Sequence, residues 1–161
     1  MNNPQALRHA VIPSPLGPLH ATFGECGLVG LELRRKSGKT ASEPADDARH
    51  LADEMASYFA GSREPFKTKL DLGAGTPFQR RVWAELRRIP FGATVSYGEL
   101  ARRVGSPGAA RAVGQAVGAN PILIVVPCHR AICASGALGG FSSGLDVKRW
   151  LLRHEAVTRN A

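Results

Sequence analysis

Aromatic residues are scarce: Phe, Trp and Tyr make up 6% of the 161 residues, so aliphatic side chains and alanine must do most of the packing. With 43% hydrophobic and 21% charged residues the chain still has enough apolar material for a core, which excludes wholesale disorder. Long apolar runs are missing too. The longest aliphatic one is Ile122–Val126, far below the roughly 20 residues of a membrane span, so no membrane partner is expected. The segment MNNPQALRHAV has no charged start followed by an apolar stretch, so no signal peptide is expected. Cysteine is sparse and odd in number: Cys26, Cys128 and Cys133 have no disulfide-framework spacing. Reduced thiols in a cytoplasm are the expectation, nucleoid-associated in use or nuclear if the source is eukaryotic.

Acid is what the second half lacks. Residues 1–75 hold nine Lys/Arg against nine Asp/Glu, whereas residues 76–161 hold twelve against four, and eleven of those twelve are Arg. The whole net charge of +8 lies there. A one-sided arginine field suits phosphates and base edges, so a polyanion, nucleic acid first, is the expected partner. A merely basic, soluble surface is the plain alternative.

The expected organisation is α+β in two parts, 1–75 and 76–161. Short apolar pieces at 10–12, 19–23 and 28–33, separated by SPLGP and GECG, predict a small antiparallel meander. A polar loop over 36–47 precedes a helical stripe at Leu51, Ala52, Met55, Tyr58 and Phe59, ended by Gly61. Alternation at Phe66, Thr68, Leu70 and Leu72 predicts another strand. Nothing in this part suggests catalysis, and a scaffold role is expected.

The second part opens with Thr76-Pro77 and Gln79, a capping box with a proline start, and Phe78, Val82, Leu86 and Ile89 share one face. Ser96 with Glu99 reads as a second capping box, ahead of a stripe at Leu100, Ala101 and Val104. Gly105-Ser106-Pro107-Gly108 reads as a turn that caps and starts the next helix, AARAVGQAVGAN. Two short helices joined by a glycine turn suggest a helix-turn-helix of winged type. The second helix is nearly bare, and only Arg111 and Gln115 project far from it. Such a helix either approaches another surface closely or packs inside a core.

Chemistry concentrates at Pro127-Cys128-His129-Arg130, expected to follow a buried β-like run at Ile122–Val126. A thiolate nucleophile needs a base or a positive field, and His129 and Arg130 offer one of each. SGALGGFSSG, residues 135–144, can wrap a flat ligand. A helix over Leu145–His154 is expected to bury Val147, Trp150, Leu151 and Leu152, with Glu155 at its end as a relay acid.

VVPCHRAI, TPFQRRVWAELRRIPFGATVSYGELA, ARAVGQAVGANP and LGGFSSGLDVKRWLLRHE together resemble the O6-alkylguanine-DNA alkyltransferases, covering residues 76–155 closely and the SPLG meander loosely. The resemblance implies irreversible, single-turnover transfer of the alkyl group from O6-alkylguanine, and from O4-alkylthymine, in double-stranded DNA to Cys128, with nucleotide flipping. It implies that His129 takes the thiol proton through a water, that Glu155 orients His129, and that Asn120 is a hinge. Tyr97 would donate to the guanine ring, and Arg111 would fill the gap left by the flipped nucleotide. DNA contacts are expected at Arg111, Tyr97, Ser96, Gln115 and Ala110. The substrate pocket is expected at Ala131, Phe141, Ser142 and Lys148. A monomer without cofactor is implied. Three positions depart from the family pattern: Ala131 stands for Val, Phe141 for a common Tyr and Ser143 for Gly, which bears on alkyl size. Some relatives bind zinc, but Cys26 with His9 and His20 has no ligand-like spacing, so no metal is expected. Two other classes stay open. A DNA-binding lesion sensor or regulator is disfavoured because sensors carry Trp at the Cys128 position. A cysteine hydrolase would bring its His from far along the chain and leave the helix-turn-helix unexplained.

Overall fold

The computed structural model describes residues 6–35 and 45–160. The chain divides into two compact units, Met1–Leu72 and Gly73–Ala161. The architecture is α+β.

In the first unit, β1 (Arg8–Ile12), β2 (Leu19–Gly24) and β3 (Gly27–Leu33) form an antiparallel sheet in that order. Alternation along β2 sends Leu19, Ala21 and Phe23 to one face, where they are fully buried. Helix α1 (Asp46–Phe59) adds Leu51, Met55 and Tyr58 to that core. Its two leading aspartates complement the positive end of the helix dipole. Of the polar loop expected over 36–47, residues 36–44 lie outside the described residues.

The strand expected over Phe66–Leu72 is not formed; a single parallel bridge joins Leu70 to Leu28. The reason lies on α1. The Glu54 carboxylate accepts the backbone N–H of Lys67 at 2.5 Å and of Thr68 at 2.9 Å, and also the Thr68 hydroxyl. Those amides are satisfied by a side chain rather than a ladder. Gly27, at φ +138°, lets β3 pass this segment, because a Cβ there would meet the Lys69 carbonyl oxygen at 2.5 Å.

In the second unit, α2 (Pro77–Arg87) starts with the expected reciprocal box: Gln79 N donates to Thr76 Oγ1 at 3.1 Å, and Thr76 N to Gln79 Oε1 at 2.9 Å. Helices α3 (Tyr97–Arg103) and α4 (Ala110–Gly118) form the helix-turn-helix. Their caps differ from expectation. Ser96 Oγ accepts from Glu99 N at 3.1 Å, but the Glu99 carboxylate turns to Arg102 and Arg103 instead of closing a box. Ser106 does not cap α4, which starts after Ala109 without a side-chain cap; the Ser106 carbonyl instead closes a turn with Ala109 N. Trp83 of α2 is buried and donates its indole N–H to the Ala116 carbonyl at 2.8 Å, which anchors α4 from behind.

Residues 122–126 are buried but are not strand. Ile124 sits at φ +70° and Val125 N bonds to Leu123 O at 2.8 Å, a tight turn. The run is apolar because it is interior, not because it pairs in a sheet. Two short strands, β4 (Val95–Ser96) and β5 (Ala131–Ile132), pair in parallel. Helix α5 (Leu145–Asn160) buries Val147 and Leu151, while Trp150 is half-buried and stacks on His154 at 5.2 Å instead of entering the core, and Leu152 is half-buried as well. Among the described residues no helix is long and apolar enough to cross a membrane.

Candidate active site

Cys128, His129 and Arg130 form one 3-10 turn, buried throughout. Its position is set from both sides. Val95 pairs with Ala131 and Ser96 with Ile132 in parallel, so the turn enters this small ladder at one end and Tyr97, which opens α3, leaves it at the other, where Cys133 follows Ile132. Two residues past α4, the Asn120 side chain spans the loop: its amide donates to the Val126 carbonyl at 2.7 Å, and its oxygen accepts Ile122 N at 2.9 Å. The loop between α4 and the thiol is thereby fixed by one side chain.

The turn's polar atoms are directed by α5. His129 is fully buried and its Nε2 lies 2.7 Å from Glu155 Oε1. Arg130 donates Nε and Nη2 to the same carboxylate, at 3.0 and 2.8 Å, and Gly92 N adds a bond to Oε2 at 3.1 Å. Burial alone would raise the Glu155 pKa, but the hydrogen bonds and charges of His129 and Arg130 outweigh it, and the carboxyl lies far below the usual range. Glu155 is therefore ionised, and the imidazole proton facing it is on Nε2. That leaves His129 Nδ1, a buried atom with no hydrogen-bond partner among the described residues. Burial holds His129 below its ordinary value.

Arg130 does not supply the positive field that its place in sequence suggests. It points at Glu155 and at the Ile89 carbonyl, 2.7 Å from Nη1. The cation that acts on Cys128 is Lys148. This lysine is fully buried, and its Nζ donates to the carbonyls of Ala131 at 2.7 Å, of Gly140 at 3.4 Å and of Leu138. It also lies 3.5 Å from Tyr97 Oη and 5.8 Å from the ring centres of Tyr97 and Phe141. Cys128 is 5% exposed. Burial pushes its thiol up, against a hydrogen bond with Asn120 and the Lys148 charge. The resting residue is a thiol, not the standing thiolate that adjacent His and Arg imply.

Around this centre, Tyr97 is half-buried, its phenol raised by burial and by the neighbouring Cys133 and Cys128. Gly139, at φ +73°, sits so close that a Cβ there would lie 2.8 Å from Tyr97 Oη. Phe141 is half-buried, and exposed Ser142 reaches the Gly118 carbonyl at 3.5 Å, tying the loop to the end of α4. On α4, Arg111 and Gln115 are exposed and Ala110 is half-buried. Ala131 is fully buried behind the turn. Cys26 is exposed and Cys133 half-buried. Among the described residues no three His, Cys, Asp or Glu side chains group as metal ligands.

Residues 77–157 match the family model described as 6-O-methylguanine DNA methyltransferase, DNA binding domain. The methylated-DNA–protein-cysteine methyltransferase of Salmonella typhimurium is 56% identical over 160 residues, covering 89% of this chain and 92% of the relative. The chain belongs to the O6-methylguanine-DNA methyltransferase family. The Mycobacterium tuberculosis relative is 46% identical, with 92% of each chain covered. In structure, the family likeness extends over both units. The O6-methylguanine methyltransferase of Mycobacterium tuberculosis matches with a TM-score of 0.85 at 42% identity, over 95% of this chain and 94% of that one. The same organism's OGT in complex with DNA matches with a TM-score of 0.82 at 45% identity, over 93% of each chain.

Proposed function

We propose that the protein repairs DNA by moving the alkyl group of O6-alkylguanine, and of O4-alkylthymine, irreversibly onto Cys128. It acts as a monomer, once per molecule, on a nucleotide swung out of the duplex. The observation that carries this reading is Cys128 on one turn with His129, whose Nε2 is held by Glu155 and whose Nδ1 is unpartnered.

The Cys128 proton passes through a water to His129 Nδ1, and Lys148 favours the thiolate that forms. The sulfur attacks the alkyl carbon in line, a C–S bond forms, and the C–O bond breaks with its electron pair going to the base. Tyr97 donates to the ring of the departing guanine, which takes up charge as the bond breaks. Asn120 fixes the sulfur relative to α4. A thioether has no easy hydrolytic exit, so the transferred alkyl group stays. The loop carrying Phe141 and Ser142 closes on the base, and Ala131, smaller than the usual Val, leaves room beside the turn. Arg111 and Gln115 enter the duplex from α4, where small residues such as Ala110 allow close approach, and Ser96 lies at the same end of the motif.

Methyl transfer titrated against O6-methylguanine DNA therefore saturates at one methyl per protein. Duplex affinity falls with salt on a log–log slope of about −0.9 per phosphate neutralised. Arg111→Ala slows repair in duplex DNA more than reaction with free O6-benzylguanine, which needs no flipping. Equal losses on the two substrates contradict the role given to Arg111.

A further inference from the structure

Glu155 holds more hydrogen bonds than the orientation of one imidazole requires. Its Oε1 takes His129 Nε2 at 2.7 Å and Arg130 Nη2 at 2.8 Å; its Oε2 takes Arg130 Nε at 3.0 Å and Gly92 N at 3.1 Å. The guanidinium is itself fixed elsewhere. Nη1 donates to the Ile89 carbonyl at 2.7 Å, just past the end of α2, and the Phe91 ring centre lies 5.9 Å from Arg130 Cζ. A forked, planar cation therefore grips one side of the carboxylate while the imidazole takes the other.

The charged groups acting on His129 are Glu155 and Lys148 from α5 and Arg130 from its own turn. From α2 and the residues just past it, the Ile89 carbonyl meets Arg130, while Glu85 pairs with Arg88 at 3.0 Å. The Glu155–Arg130 pair is neutral in sum, and Lys148 adds a positive charge. A second cation on the imidazole has no uncompensated acid to answer it.

We propose that Arg130 is a positioning residue: by neutralising Glu155 it keeps His129 a neutral imidazole, with Nδ1 free to receive the Cys128 proton. The inference rests on the alkyl-transfer reading and deepens it. Remove the guanidinium, and the full carboxylate charge acts on His129. The imidazole then holds protons on both nitrogens at neutral pH, and an imidazolium accepts nothing from a thiol. Arg130 thus serves the reaction without touching sulfur or substrate. Burial, with the Arg130 and Lys148 charges, holds His129 low in spite of its hydrogen bond to Glu155, in agreement with this arrangement.

The test is the pH–rate profile of alkyl transfer to free O6-benzylguanine, with adduct mass on Cys128 as the control. Wild type reacts with its acid limb below about pH 6.5, the ordinary histidine value. In Arg130→Met the limb moves up by one unit or more, and on the acid side of both limbs the rate falls about tenfold, one unit being a factor of ten in the neutral fraction there. Arg130→Lys, which keeps the charge, restores most of the profile. In the Glu155→Gln background, Arg130→Met moves the limb no further. A limb unmoved in folded Arg130→Met overturns the proposal. If that variant does not fold, nitrogen chemical shifts of His129 in the wild type decide: a neutral ring protonated at Nε2 at pH 7 supports the proposal, and an imidazolium overturns it. Absence of any adduct on wild-type Cys128 defeats the alkyl-transfer reading instead, an outcome distinct from a normal adduct with an unmoved acid limb.

Discussion

Glu155→Gln is expected to cost about 3–5 kcal/mol of stability and to slow alkyl transfer about 100-fold or more in the protein that remains folded. The first figure follows from what the substitution leaves behind. Arg130 is 8% exposed and Glu155 fully buried, and the pair is hydrogen-bonded through two guanidinium nitrogens. Taking away only the negative partner leaves a buried cation uncompensated, which costs far more than replacing both. The second figure is the usual worth of a general base whose tautomer is fixed. With an amide in place of the carboxylate, the His129 proton is no longer held on Nε2, and Nδ1 ceases to be a dedicated acceptor. The pH dependence carries the same signature. Glu155 and His129 both hold their protons less tightly in the folded state than in the unfolded one. The unfolded chain thus binds more protons in acid, and stability falls as pH drops, first below about 6.5 through His129 and then below about 4.3 through Glu155. Glu155→Gln removes the second part of that fall. Thermal melts from about pH 2 to 8, set beside transfer rates on DNA, check both figures. Unchanged stability with an unchanged profile contradicts the account.

Lys148→Met is expected to lower the transfer rate about 100-fold while shifting the melting temperature little. A buried ammonium facing carbonyls, with no carboxylate on it among the described residues, is costly to desolvate, so a methionine of similar length regains part of what the lost hydrogen bonds gave. The local effect is different. The carbonyls of Leu138 and Gly140 lose their tie to α5, and Tyr97 and Phe141 lose the cation between their rings. A displacement of about 1 Å in a positioned group can cost on the order of 100-fold in rate. The thiol also loses the cation that favours its ionised form. Amide exchange at residues 138–140 should quicken by at least tenfold in the variant, and an unchanged exchange pattern there contradicts the role given to Lys148.

What the sequence made legible follows the range of the interactions concerned. The Thr76–Gln79 box, the β1–β2–β3 meander and the α1 and α2 stripes are set by neighbours in the chain, and each stands close to where pattern and caps put it. The strand expected over Phe66–Leu72 failed because Glu54, more than ten residues away, captures its amides. Ile122–Val126 misled because a buried turn tied by Asn120 has the same composition as a buried strand. At the site, Cys128, His129, Glu155 and Asn120 come together as the family resemblance implies, but Arg130 faces Glu155 and the Ile89 carbonyl, not the thiol that its place in the sequence suggests. Successive side chains on a 3-10 turn are splayed by about 120°, so Cys128 and Arg130 face different ways. For Lys148 the resemblance implies a place in the pocket but not its role. Its signal was available: it lies one turn from Leu151 and two from Glu155, so it shares the inward face of α5.

The central claim is that the Cys128 sulfur is the alkyl acceptor. Incubation with duplex DNA carrying one O6-methylguanine, followed by digestion and peptide mass measurement, tests it directly. One methyl mass on the peptide containing Cys128, none on those containing Cys26 or Cys133, and no transfer with Cys128→Ala despite retained DNA binding is the expected result. Methyl on Cys26 or Cys133, or transfer that survives Cys128→Ala, contradicts it.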